Sequence, residues 1–152
     1  MIREELKKQL IEAMKAKDEK KTATIRLVNA AIKQKDIEAR PAGKTDGIDD
    51  AAVLSLMQSM IKQRRESIDM YTKGGRDDLA AAEQAEIDII QSFLPKQMSE
   101  TEVKAAISEI ITQTGASSIK DMGKVMGALR GKYAGQMDFG MASGLIKEAL
   151  AG

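Results

Sequence analysis

The sequence predicts an all-α protein, with antiparallel long helices over residues 1–94 and a small three-helix domain over residues 96–152. Three observations lead there. Apolar residues recur at i, i+3, i+4 and i+7 along the whole chain, and no segment alternates with the period of two that a half-buried strand requires. Residues suited to helix starts (Asp18, Asp49, Ser99, Asp138) stand before successive apolar stripes. Leu94–Pro95 falls where one set of stripes ends and another begins, and the residue before a proline is pushed away from the helical region.

The first helix is expected from residue 2 to about 16, with Ile2, Leu6, Leu10, Ala13 and Met14 on its apolar side. The run 15–21, KAKDEKK, breaks the pattern and reads as a turn, with Asp18 as N-cap of a second helix over 19–39. That helix turns Ile25, Val28 and Ile32 inward, and Pro41 is expected to end it by disfavouring the helical conformation at Arg40. Residues 40–49 form the most loop-like stretch, after which Asp49 or Asp50 caps a third helix. Its stripe is Val53, Met57, Met60, Ile61, Arg64 and Ile68, and Gly74–Gly75 stops it. A fourth helix starts at Asp77 or Asp78 and aligns Leu79, Ala82, Glu86, Ile90 and Phe93. Arg64 and Glu86 thus stand on apolar sides of consecutive helices, where an arginine needs a carboxylate partner, and an ion pair between them is expected.

Ser99 and Glu102 make an S-x-x-E start signal for the fifth helix, with Val103, Ile107, Ile110 and Ile111 as its stripe and Gly115 at its close. Ser118 with Asp121 is a second such pair. Beyond it Met122, Val125, Met126, Leu129 and Tyr133 share one face. Asp138 caps the last helix, where Ala142, Leu145, Ile146 and Ala149 are expected to face inward.

Composition removes whole classes of chemistry. There is no cysteine and no histidine, which excludes disulfides, thiol nucleophiles and Ser-His-Asp or Cys-His sites, and leaves zinc without its usual ligands. The N-terminus holds no long apolar run, so neither a signal peptide nor a membrane span is expected, and a cytoplasmic location is the default. A net charge of +1 gives no general attraction to nucleic acid, so any RNA contact must come from a local patch. Carboxylates are the remaining acid–base candidates, and Asp77, Asp78, Glu83, Glu86 and Asp88 read as helix-start and solvated-face residues. No catalytic residue, metal site or cofactor is expected.

The candidate site lies between Ser118 and Ala134, where Lys120, Lys124, Arg130 and Lys132 face the single acid Asp121. At about 100° per residue, Gly123, Gly127 and Gly131 fall opposite Met122 and Met126, on the same side as Lys120 and Lys124. Each glycine inside a helix costs about 1 kcal/mol relative to alanine. Glycine lets another backbone come close, and lysine beside it suits phosphate, so these seven residues are the candidate RNA contacts. The same glycines would equally admit a neighbouring helix of the same domain, or a helix of a protein partner.

Residues 120–135, KDMGKVMGALRGKYAG, with 138–150, DFGMASGLIKEAL, resemble the tail domain shared by the YqeY family and the B subunit of the glutamine-dependent tRNA amidotransferase. IKQRRES (61–67) and FLPKQMSE (93–100) resemble the YqeY part specifically. The resemblance implies a small stand-alone all-helical protein. It also implies a tail that contacts tRNA or another structured RNA, as the homologous tail of the amidotransferase does. The family pattern often has proline at 131 and arginine at 136, where this chain has Gly131 and Gln136, one charge fewer. Homology to the B subunit also attaches the label of a carbon–nitrogen ligase with glutamine as amide donor. With no GxxxxGK[ST] phosphate loop and no activated nucleophile, no intrinsic activity of that kind is expected. The expected role is therefore a non-catalytic accessory protein binding RNA through its tail, with a helical protein-interaction adaptor as the alternative.

Overall fold

The computed structural model describes residues 2–151, and among them it contains seven α-helices, two single 3-10 turns and no strand. The fold is all-α. The chain divides into two compact units, one ending at Leu94 and the other beginning at Pro95.

The first unit consists of α1 (Ile2–Lys15), α2 (Glu19–Ala39), α3 (Asp50–Lys73) and α4 (Asp77–Gln91). Its core is one cluster of Leu6, Ile25, Val28, Ile32, Val53, Met57, Met60, Ile61, Ile87 and Ile90. At about 25 cal/mol per Å² of apolar surface removed from water, such a cluster is the main source of its stability. Met14 was expected inside and is instead 51% exposed. It lies at the margin of the α1 stripe, and the Arg26 guanidinium reaches its sulfur at 3.9 Å.

Helix starts follow local chemistry. The Asp18 carboxylate accepts the Lys21 N–H at 3.0 Å, and Asp49 accepts the Ala52 N–H at 2.9 Å. Each such cap contributes about 1 kcal/mol. One helix end departs from expectation. Arg40, ahead of Pro41, stays helical (φ −57°, ψ −44°), and residues 40–42 tighten into a 3-10 turn that ends at the left-handed Gly43. Proline has no N–H to lose in a first turn, so it is tolerated there although it cannot continue α2.

The loop between α2 and α3 is fastened by one carboxylate. Asp36 accepts both guanidinium nitrogens of Arg3, at 2.7 and 2.9 Å, and the Ile48 N–H at 2.9 Å. Arg3 also donates to the Ile48 carbonyl at 2.9 Å. The Arg3 hydrogen bonds, with the Ile48 N–H second, hold the Asp36 carboxyl down to about 2. Between α3 and α4, Arg64 Nε donates to Glu86 at 2.8 Å, the ion pair expected from the two stripes, with Glu83 at 4.0 Å.

The second unit consists of α5 (Glu100–Thr114), α6 (Met122–Tyr133) and α7 (Phe139–Ala151). Val103, Ala106, Ile107, Ile110, Val125, Leu129, Met137, Ala142, Ile146 and Leu150 form its core. Ser99 Oγ accepts the Glu102 N–H at 3.2 Å, and Gly115 closes α5 at φ 69°. Asp138 caps α7 through the Gly140 N–H at 2.8 Å.

The helix directions follow from the connections. The Thr114 carbonyl, at the end of α5, accepts Lys124 Nζ from the start of α6. The Met98 N–H, just before α5, donates to the Gln136 carbonyl just after α6, at 2.8 Å. Hence α6 runs antiparallel to α5. The 3-10 turn Ile119–Asp121 before α6 packs on α7, so α7 returns parallel to α5. Ala149, expected inward, is exposed, while Leu150 takes the last core position of α7.

Candidate functional site

On α6, Val125 and Leu129 are fully buried, and Met122, Met126 and Tyr133 pack around the same core. The opposite side carries Gly123, Gly127 and Gly131, all exposed. A Cβ built on any of these three would meet no atom within 4 Å beyond its own stretch of helix backbone and its chain neighbours. No helix of the second unit uses them, which removes internal helix packing as the reason for glycine at these positions.

The four basic residues do not form one free patch. Lys120 does not continue the helical face with Lys124, but sits on the 3-10 turn ahead of α6. The cause is local. The Asp121 carboxylate accepts the N–H groups of Ser117 and Ser118, at 2.9 and 3.3 Å, so that the α-helix begins only at Met122. Those two N–H groups, with the charge of Lys124, depress the Asp121 carboxyl below its ordinary range.

Lys124 Nζ donates to the Thr114 carbonyl at 3.1 Å, where a cation suits the negative end of the α5 dipole. The Arg130 guanidinium lies 5.6 Å from the centre of the Phe139 ring. Lys132 Nζ is 5.5 Å from the Tyr133 ring centre and 3.7 Å from Glu109. Lys132 and Glu109 are both exposed enough for a phosphate to compete for the lysine, since surface pairs of this kind contribute at most about 1 kcal/mol. The open glycine strip is therefore bordered by Lys120, for which no partner is seen among the described residues, and by three cations that are held loosely in place. The sequence shows the charges but not their intramolecular partners Thr114, Glu109 and Phe139.

A family model described as Yqey-like protein matches residues 3–150, nearly the entire chain. The chain belongs to the YqeY family. Curated relatives of this YqeY protein are named Altered inheritance of mitochondria protein 41, mitochondrial. The protein of Lachancea thermotolerans is 38% identical over 115 residues, covering 74% of this chain and 59% of the relative. That of Eremothecium gossypii is 43% identical over 89 residues, covering 59% of this chain and 46% of the relative. A Saccharomyces cerevisiae form is 33% identical over 130 residues, covering 82% and 68%. The chain spans less than two thirds of the length of the first two.

These relatives correct the expectation of a cytoplasmic location, because each is named as a mitochondrial protein. The expectation rested on the lack of an apolar run, which is the mark of a secretory signal. Import into mitochondria uses an amphipathic, arginine-rich segment instead, so the feature tested was not the relevant one. No helix among the described residues is long and apolar enough to cross a membrane. Among the same residues, no group of three or more His, Cys, Asp or Glu side chains is placed to hold a metal ion. Four of the five acidic residues of α4 are accounted for locally: Glu83 and Glu86 face Arg64, Asp78 pairs with Arg76 at 3.3 Å, and Asp88 accepts from Gln84, while Asp77 stands in the first turn.

Proposed function

We propose that this YqeY-family protein is a non-catalytic accessory factor that binds structured RNA of the tRNA kind through the exposed face of α6. The observation that supports this is the open strip of Gly123, Gly127 and Gly131. Three glycines reduce the intrinsic stability of a twelve-residue helix, and nothing in the second unit gains from them. A ligand that must approach the helix backbone closely would gain from all three. Lys120, Lys124, Arg130 and Lys132 border the strip and give that ligand a negative charge, which fits recognition of RNA by shape and phosphate contacts. The likeness of this segment to the amidotransferase tail points the same way.

A helical partner protein is the second reading, favoured by one observation: Lys124 and Lys132 already have partners within the unit, which lowers the charge free for phosphate. Salt dependence separates the two. RNA affinity would fall with salt at a slope set by the phosphates neutralised, and removing one contacting lysine would lower that slope by roughly one. tRNA affinity measured at several salt concentrations for the parent, Lys120→Ala/Lys124→Ala and Gly127→Leu is the test. Weaker binding by both variants, with melting retained, supports the RNA site. If the double lysine variant binds as tightly as the parent at every salt concentration, α6 is not the RNA site. The adaptor reading predicts a shallow salt response, little loss from the lysine changes and sensitivity to Gly127→Leu.

A further inference from the structure

A groove of about 470 Å³ runs between α5 and α7, away from the glycine strip. Ile107 and Ile111 of α5 and Leu145 of α7 line it, with Ala149 beside them, and it is open to solvent. Met141, four residues before Leu145 on the same side of α7, is 41% exposed and continues that wall. α7 is also unusually poor in charge for a surface helix. Its outward positions include Gly140, Met141, Gly144 and Ala151, and Lys147 and Glu148 are its only charged residues. A helix apolar on nearly every side is normally covered on nearly every side.

A small-molecule ligand fits this groove poorly. It is open rather than enclosed, so it would bury little of such a ligand, and the hydroxyl of Thr112 is already given to the Ser108 carbonyl at 3.1 Å on its own helix. The charges point instead to a second protein surface, and to one of a particular kind. Lys104 lies near the start of α5 and Glu148 near the end of α7, and the two helices are parallel. The two side chains therefore mark opposite ends and opposite walls of the groove. A two-fold axis through the groove centre carries Lys104 of one copy onto Glu148 of the other, and the reverse. A two-fold interface requires self-complementarity of this kind, with each patch supplying both members of every pair. Lys104 is held only by the exposed Glu100 at 3.4 Å, and no ion pair of Glu148 is seen among the described residues.

We infer that the α5–α7 face is a self-association surface, on which two copies of this chain pack Leu145 and Met141 across each other's groove and pair Lys104 with Glu148 twice. The inference is independent of the α6 reading.

The full-length protein is examined by sedimentation velocity over a concentration series, as parent, Lys104→Glu, Glu148→Lys, the double exchange, and an equimolar mixture of the two single variants. The parent forms a dimer. Each single variant places like charges against each other at both ends and raises the dissociation constant about tenfold or more. The double exchange restores dimerisation. So does the mixture, because a Lys104→Glu chain facing a Glu148→Lys chain has opposite charges at both contacts. Both substituted residues are exposed, and dichroism melts confirm that the variants remain folded. A parent monomeric at every concentration overturns the inference, including the case in which it binds an added amphipathic helix instead. A dimer indifferent to both single variants overturns it too, since its interface then lies elsewhere.

Discussion

Replacing Gly127 by alanine separates a packing role from a surface role more directly than any other single change. Gly127 lies in the middle of α6, its Cβ position is open, and its φ is not in the left-handed region. Alanine there removes the helix-propensity penalty of about 0.8–1.0 kcal/mol with nothing to displace. Gly123 and Gly131 lie within two residues of the helix ends, where the gain is about half as large. The triple alanine variant should therefore gain about 2 kcal/mol in the free energy of opening α6. Native-state hydrogen exchange at the Val125 and Leu129 amides reads that quantity without assuming how the two units unfold. A melt resolving the second unit should shift upward by about 4–8 °C for Gly127→Ala alone. Affinity for tRNA should fall with the alanine methyl, which holds the ligand off the backbone, and fall further with Gly127→Leu, although both residues are better helix formers than glycine. A loss of protection at Val125 or Leu129 in Gly127→Ala would refute the reasoning, because it would mean that the glycine strip is packed in solution.

Three further outcomes are expected. Gly47→Ala should destabilise the first unit by about 2 kcal/mol or more, read by urea denaturation, since Gly47 has φ 93° and its Cβ would lie 2.6 Å from Asp36 Oδ1. The Asp36 carboxyl is depressed in the folded state, so its contribution is complete above about pH 4 and lost as pH falls toward about 2. It amounts to about 1–2 kcal/mol after screening, and Asp36→Asn should flatten that part of the stability–pH curve. Glu86→Ala should cost about 2 kcal/mol by leaving the Arg64 guanidinium without its 2.8 Å partner, and Arg64→Met/Glu86→Leu should recover most of that loss in the same denaturation assay.

Legibility in the sequence follows the range of the interaction. The caps at Asp18, Asp49, Ser99 and Asp138 were readable because donor and acceptor lie two or three residues apart. The Arg64–Glu86 pair was readable because two charged residues stood on apolar stripes of consecutive helices. The Arg3–Asp36–Ile48 clasp was not, since its members are 33 and 45 residues from Arg3 and nothing local marks them. Met14 and Ala149 had the right period but sit at stripe margins, where the neighbouring helix decides burial. At the candidate site the glycines and cations were visible, while the openness of the strip and the engagement of Lys124 and Lys132 depend on how α5 lies beside α6.

The clasp also bears on the order in which the chain becomes stable during synthesis. Arg3 leaves the ribosome first and has no partner until Asp36 follows, and Asp36 gains its backbone donor only with Ile48. The core that closes over them needs Ile87 and Ile90. For most of its translation the first unit is thus a set of amphipathic helices with exposed Leu6, Ile25 and Val28, the condition in which nascent chains recruit holding factors. The cluster from Val103 to Leu150 shares no residue with that core. A ribosome pausing shortly after Leu94 has left the exit tunnel would give the first unit time to close before the second competes for the same apolar surfaces.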